Sequence, residues 1–179
     1  MATVTAIDVK RLDAFTAAFS GSVIDPNHEC YEEARKVHNG LIDKRPALIA
    51  RCHGTADVVD AITFARESGL EISVRGGGHS VAGKAVTDGG LMIDLAEMKG
   101  IHLDTTAQTV RAQGGVTWGE LNRETALRGL ATTGGVVSTT GIAGLTLGGG
   151  LGWLNGMYGL AVDNLLSVEL VTQRATCSP

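Results

Sequence analysis

Glycine is the residue that most constrains how this chain can fold. The sequence contains 25 glycines in 179 residues, about twice the usual share of roughly 7%. They cluster at Gly76–Gly78 and again between Gly134 and Gly159. Because glycine has no Cβ atom, such clusters are typical of backbone that turns sharply or approaches a ligand closely. The sequence therefore predicts two segments of this kind.

The rest of the composition is that of a globular domain, with 44% apolar and 19% charged residues. The net charge of −4 and the lack of a basic patch argue against a nucleic-acid partner. The N-terminus shows no basic segment followed by an apolar one, so we expect no secretion signal. The three cysteines are irregularly spaced, which favours neither a disulfide framework nor a metal site and fits a cytoplasmic location. They are Cys30, Cys52 and Cys177.

Periodicity and end signals predict an α+β fold in two small lobes that divide near residues 97–108. We expect a helical segment at 1–40, a first lobe at 41–100 and a second lobe at 101–179. Thr55 is the expected N-cap of the helix after the first strand, and Thr117 with Glu120 forms a capping box. Helices are predicted at 7–20, 29–38, 56–68 and 118–128, and strands at 46–52, 70–75, 91–95, 101–103, 108–113 and 165–172. Nothing after the last strand is expected to pair with it.

Three familiar motifs are matched only in part. The run from Gly78 to Ala85 resembles the phosphate loop of nucleotide triphosphatases, but Ala85 lacks the hydroxyl that binds magnesium. The uncharged stretch from Gly129 to Val162 holds eleven glycines and several hydroxyls, so no window in it is apolar enough to span a membrane. No intact GxGxxG is present, so the usual dinucleotide fingerprint is missing.

A different phosphate cradle fits better. Three glycines directly after a strand expose successive backbone N–H groups, and Arg75 adds a positive charge beside them. His79 lies within the same loop, where it would face a bound ligand. The uncharged segment, with Leu151 and Trp153 at its border, suits the rest of a large and mostly neutral cofactor. A purely structural role for the glycines stays open.

Five stretches together resemble the FAD-binding domain of the vanillyl-alcohol oxidase superfamily, close to its berberine-bridge-enzyme-like bacterial oxidases. The resemblance covers residues 20–173, and its specificity comes from the five stretches jointly. They are 45–51 (RPALIAR), 75–83 (RGGGHS with Ala82-Gly83), 114–119 (GGVTWG), 133–150 (TGGVVSTTGIAGLTLGGG) and 158–164 (YGLAVDN).

The resemblance implies a two-lobed FAD-binding domain of the PCMH type. Loop 75–80 would hold the pyrophosphate and residues 133–152 the rest of the cofactor. His79 would form a covalent bond to the 8α-methyl carbon of the flavin, as the matching histidine does in many relatives. The implied cofactor residues are Arg75, Gly76, Gly77, Gly78, His79, Ser80, Gly83, Thr133, Gly134, Gly135, Val136, Val137, Thr140, Gly141, Gly144, Leu145, Gly149 and Gly152.

Two departures from the family pattern qualify these expectations. Val137 stands where some relatives carry a second covalent cysteine. The family also continues beyond the strand at 165–172 into a substrate domain, so we expect a C-terminally incomplete chain that turns over substrate poorly by itself. The expected activity is oxidation of a small alcohol, sugar or amine with oxygen as acceptor. The alternatives are an inactive flavin-binding module and, less in keeping with the motifs, an ATPase.

Overall fold

The computed structural model describes residues 7–174 and 177–178, and it has a mixed α+β fold, as predicted. A four-stranded sheet precedes a two-stranded hairpin, a helix and the long glycine-rich segment. The strands are β1 (Ser22–Ile24), β2 (Leu48–Arg51), β3 (Ile72–Arg75), β4 (Leu91–Asp94), β5 (Ile101–Asp104), β6 (Thr109–Ala112), β7 (Leu170–Val171) and β8 (Cys177–Ser178). The helices are α1 (Val9–Ala18), α2 (Tyr31–Ala34), α3 (Thr55–Ser68), α4 (Trp118–Ala126), α5 (Ile142–Leu147) and α6 (Asn155–Tyr158), with a 3₁₀ turn at Val162–Asn164.

The main sheet has the strand order β1-β2-β4-β3, with β4 parallel to both of its neighbours and β1 antiparallel to β2. Its central strand β4 is buried along its whole length. Burial on both faces is usual for parallel strands and explains their continuous apolar sequence. Helix α3 connects β2 to β3, so the carboxyl ends of β2, β3 and β4 meet at one edge.

Alternate residues of the central strands enter two different cores. Leu48 and Ile93 pack with α3, whereas Ile49 and Met92 pack on the other face with Tyr31 of α2. This alternation follows from the two-residue period of a strand. Residues 7–40 contribute to both cores, since Phe19 lies in the first core and Ile24 of the edge strand β1 lies in the second.

A third core lies after residue 100. Val116, Trp118 and Leu121 of the α4 region pack with Ala161 and against the β5–β6 hairpin. The predicted capping box is present, because the Glu120 carboxylate accepts the Thr117 backbone N–H at 2.8 Å. The helix therefore begins where the sequence indicates.

Two local expectations about helices are wrong. Gly54, not Thr55, precedes α3 as its cap, and the Thr55 hydroxyl instead donates to Glu169 at 3.1 Å. The polar helix at 29–38 is reduced to α2, because the chain turns while Arg35 binds Glu32 and the carbonyl of Lys44.

The last strand also differs from expectation. Only Leu170–Val171 of the predicted 165–172 is extended in a ladder, and it pairs antiparallel with β8. A strand needs a neighbour to hydrogen-bond with, and among the described residues this strand has one only at 177–178, so the expectation that nothing after it would pair with it is also wrong. Within the described residues, no helix is long and apolar enough to cross a membrane.

Asp94 is the charged residue at the centre of the sheet's carboxyl edge. Its side chain is fully buried, and its register partners on the two flanking strands are Arg51 and Arg75. Arg51 Nε donates to Asp94 Oδ2 at 3.0 Å, and Arg75 Nη1 lies 3.9 Å from the same oxygen. The other oxygen, Oδ1, accepts the Ala96 backbone N–H at 3.1 Å. One carboxylate thus ties three strand ends together.

We expect Asp94→Asn to destabilise the fold by roughly 3 kcal/mol, because it leaves two arginines beside a buried group without its charge. The free energy of unfolding in urea measures the effect. Asp60→Asn is the matched control, since the Asp60 side chain is exposed on α3 and its carboxylate makes no hydrogen bond or ion pair with the described residues. Equal stability of the two variants would contradict this role for Asp94.

Candidate cofactor-binding site

The loop after β3 accepts hydrogen bonds from the segment that follows α2. The His38 backbone N–H donates to the Gly78 carbonyl at 3.0 Å, and Asn39 Nδ2 donates to the Val81 carbonyl at 3.0 Å. Lys44 Nζ donates to the Gly83 and Val86 carbonyls, both at 3.2 Å. Four carbonyl groups of the loop therefore point toward residues 38–44.

The backbone N–H groups of the same loop have no such partners. Among the described residues, the N–H groups of residues 76–80 donate no hydrogen bond. Those of residues 134–139 donate none either. Runs of unpaired backbone N–H groups are suited to binding an anion. This property belongs to both glycine segments predicted from the sequence.

The two glycine segments touch each other through their backbones. A Cβ atom on Gly77 would lie 2.2 Å from the Gly141 nitrogen, and one on Gly141 would lie 2.3 Å from the Gly77 nitrogen. Real Cβ atoms do not approach backbone so closely, so both positions require glycine. Ile142 N–H donates to the Val116 carbonyl at 2.9 Å, which holds the second segment against α4.

Arg75 faces into the protein. Its Nη1 donates to the Ala34 carbonyl at 2.6 Å and lies near Asp94, and its Nε is buried without a partner. The guanidinium therefore anchors the first residue of the loop. The orientation of Arg75 toward Ala34 and Asp94 was not foreseen from the sequence, which suggested a cation for a phosphate.

His79 is held by hydroxyls from the second glycine segment. Its Nε2 lies 3.1 Å from Thr139 Oγ1, and its Nδ1 lies 3.3 Å from Thr140 Oγ1. The ring of His38 stacks on it at 4.0 Å between centroids. Burial lowers the pKa of His79, and the nearby His38 lowers it further. The imidazole of His79 thus stays neutral to a lower pH than that of an ordinary histidine.

Segment 133–152 winds around Trp118. Thr133 is buried, Gly134 lies against the indole ring, and a Cβ on Gly152 would lie 1.6 Å from the Gly134 carbonyl oxygen. Val136 and Val137 are exposed, and space is open beside Gly144. This segment is compact where it meets the core and open elsewhere.

The other predicted positions lie around these contacts. The Ser80 hydroxyl accepts the Lys84 N–H, and Gly83 has a φ of +67° over Ile42. Gly135 and Leu145 pack near Trp118, and Gly149 has a φ of +106°. The structure brings together Gly76–Ser80 with Thr139–Gly141, whereas Gly149 belongs to a turn beside Leu160.

Sequence reasoning missed His38, Ala34, Asn39 and Lys44. They act through backbone carbonyls or a ring face, and no spacing rule connects them to His79. In the described part of the chain, no group of three or more His, Cys, Asp or Glu side chains could hold a metal ion.

Comparison with known proteins agrees with this geometry. Residues 46–177 match the model of a family described as an FAD-binding domain. The chain is 43% identical over 155 residues to the (R)-6-hydroxynicotine oxidase of Paenarthrobacter nicotinovorans, covering 87% of this chain and 34% of that protein.

Solved structures show the same fold. The 6-hydroxy-D-nicotine oxidase of Arthrobacter nicotinovorans superposes with a TM-score of 0.88 at 42% identity, covering 90% of this chain and 36% of that one. A berberine-bridge-enzyme-like protein of Physcomitrella patens gives 0.87 at 30% identity over 93% and 37%. The glucooligosaccharide oxidase of Acremonium strictum, whose flavin is 6-S-cysteinyl, 8α-N1-histidyl FAD, gives 0.85 at 28% identity over 94% and 36%.

The chain belongs to the FAD-binding domain family of FAD-linked oxidoreductases. The resemblance drawn from the sequence is thereby confirmed, as is the PCMH-type fold. The chain spans about a third of the length of the relatives it matches.

We expect Gly77→Ala to separate the two glycine segments. The new methyl group would meet the Gly141 backbone, so the variant should lose roughly 2 kcal/mol of stability and bind FAD more than about tenfold more weakly. Urea unfolding and titration of FAD fluorescence measure the two effects. Gly156→Ala is the control, because α6 has open space there and alanine favours a helix. Wild-type FAD affinity in Gly77→Ala would show that the contact does not shape the site.

Proposed function

We propose that this chain holds FAD between loop 75–80 and segment 133–152, as part of an oxidoreductase that oxidises a small organic substrate. The observation that carries the proposal is the run of unpaired N–H groups at residues 76–80, which ends beside the His79 imidazole. The N–H groups suit the anionic pyrophosphate, and the imidazole beside them suits covalent attachment of the flavin ring.

The residues present fit an FAD. The unpaired N–H groups of the first loop would bind the pyrophosphate, and those of 134–139 would bind polar atoms of the remaining cofactor. Gly77 and Gly141 keep the two segments in backbone contact. Arg75 supports the loop from inside through Ala34 and Asp94, so its proposed contribution to the pyrophosphate is the position of the loop.

His79 is the proposed point of covalent attachment. Its neutral imidazole supplies the nucleophilic nitrogen, and Thr139 with Thr140 fixes the ring. Val137 has no nucleophilic group, so a single bond is expected, in contrast to the cysteinyl and histidyl links of the glucooligosaccharide oxidase.

Burial raises the pKa of Cys52 to about 12, which makes that thiol unreactive. When bound, the flavin supplies the two-electron acceptor for substrate oxidation, and a histidyl link raises its potential.

The substrate class, an alcohol, sugar or amine, is proposed from the relatives, as is oxygen as the electron acceptor.

Residues 41–100 and 101–179 are the proposed lobes, supported by the separate third core. A cytoplasmic location is proposed because Cys30 and Cys52 are free thiols in the described structure.

Reconstitution with FAD tests the cofactor site. Folded chain, verified by circular dichroism, should bind FAD stoichiometrically, and denatured protein should retain one flavin by intact-mass analysis. His79→Ala should remove the adduct, because it removes the proposed nucleophile, whereas His102→Ala on β5 should keep it. Folded protein without bound flavin would refute the cofactor site, and an adduct that survives in His79→Ala would refute the attachment point.

An oxidoreductase and an inactive flavin-binding module differ in whether a substrate reduces the bound flavin. The glycine-rich segment 129–162 has no charged residue that could act as a base, and the carboxylate of Asp163, which follows it, accepts the Leu160 N–H at 2.8 Å. Proton removal by such a base commonly contributes about 10²–10⁴-fold to the rate. We therefore expect slow anaerobic bleaching of the FAD-loaded chain by alcohols, sugars or amines. Rapid, saturable bleaching by any of them would show a complete substrate site in these residues.

A further inference from the structure

His38 contacts the loop in two independent ways. Its backbone N–H donates to the Gly78 carbonyl at 3.0 Å. Its side chain, exposed on the outer side, stacks on the His79 ring with centroids 4.0 Å apart and an interplanar angle of 12°. The first contact fixes where the second occurs, because the same residue provides both.

The His79 ring is restrained at its nitrogens by two threonines and on one face by His38. Thr139 and Thr140 hydroxyls lie at its two nitrogens. A neutral imidazole has one donor and one acceptor nitrogen, and a hydroxyl can complement either, so this pair fits the neutral ring. The threonines alone leave the ring free to tilt about the line that joins its nitrogens, and the His38 ring opposes that tilt.

We propose that His38 is a positioning residue, whose stacked ring fixes the orientation of the His79 imidazole. This inference rests on the proposed function, since it concerns the histidine proposed to bond the flavin.

The electrostatic surroundings support the proposal. Two protonated rings at this separation would repel each other, so protonation of one disfavours protonation of the other. Burial lowers the pKa of His79, and His38 lowers it further. Segment 129–162, which brings the threonines, has no charged residue.

The nearby charges of α2 and β3 are occupied by other partners. Glu32 pairs with Arg35 and Arg45, and Glu33 pairs with Lys36. The Arg75 guanidinium is directed to Ala34 and Asp94. His38 is therefore the titratable group that acts on His79 from the elements packed around it.

An NMR titration without flavin tests the proposal directly. In protein labelled at histidine, the midpoint of the His79 resonances is compared among wild type, His38→Phe and His38→Ala. Phenylalanine keeps a stacked ring but cannot be charged, so the midpoint should rise, and alanine should raise it further by exposing the ring. His102→Phe, the same change on an exposed strand, should leave the midpoint at the wild-type value. An unchanged midpoint in both His38 variants would overturn the proposal.

The rate of flavin attachment provides the second measurement. The pH below which attachment fails should move upward in His38→Phe, because neutral His79 is then lost sooner on acidification. At high pH, His38→Ala should attach flavin about tenfold more slowly, because its nucleophile is no longer oriented, whereas His38→Phe should match wild type. Wild-type rates and pH dependence in both variants would overturn the proposal. Failure of wild type to form any adduct would refute attachment at His79, while the flavin-free titration would still decide the role of His38.

Discussion

The burial of Asp94 between two arginines is the interaction on which the geometry of the site depends. A carboxylate without solvent access is stable only when counter-charges and hydrogen bonds surround it. Here those partners come from the ends of the two neighbouring strands, so meeting the electrostatic need of one side chain also aligns three chain segments. Arg75 is both a partner of Asp94 and the residue from which the glycine loop departs, so this interaction also fixes where the loop begins.

From that fixed point, the site is built mainly from backbone. Several carbonyls between Gly78 and Val86 accept hydrogen bonds from the segment after α2, whereas the N–H groups of residues 76–80 have no partners among the described residues. Glycine is needed where the two loops meet, and side chains enter chiefly as His79 and its threonines. An arrangement of this kind recognises a cofactor through backbone N–H groups, which nearly every residue possesses. Its signature in the sequence is therefore a cluster of glycines and not a set of particular side chains.

That signature explains how much could be predicted. The sequence shows directly the features that depend on consecutive residues: the glycine clusters, the strand before Gly76, the capping box at Thr117 and the position of His79 within the glycine loop. The direction of the Arg75 side chain is different, because it depends on a carboxylate from another strand. His38 was overlooked for the same reason: its ring meets His79 only after β3 and α2 have been brought together. The cap of α3 was misplaced because the Thr55 hydroxyl has a distant partner in Glu169.

The contact between Gly77 and Gly141 joins parts of the chain that lie far apart in sequence, one after β3, whose Ile72 packs on the first core, and one next to Ile142, which packs on the third. Contacts of such high sequence separation carry the entropy cost of closing a long loop, and they form late in folding. A ligand that bridges them binds only the fully folded chain and therefore stabilises it in proportion to the logarithm of its concentration. In a cell, the supply of flavin would then govern how much of this protein persists, since molecules that have not captured it open at this junction more readily.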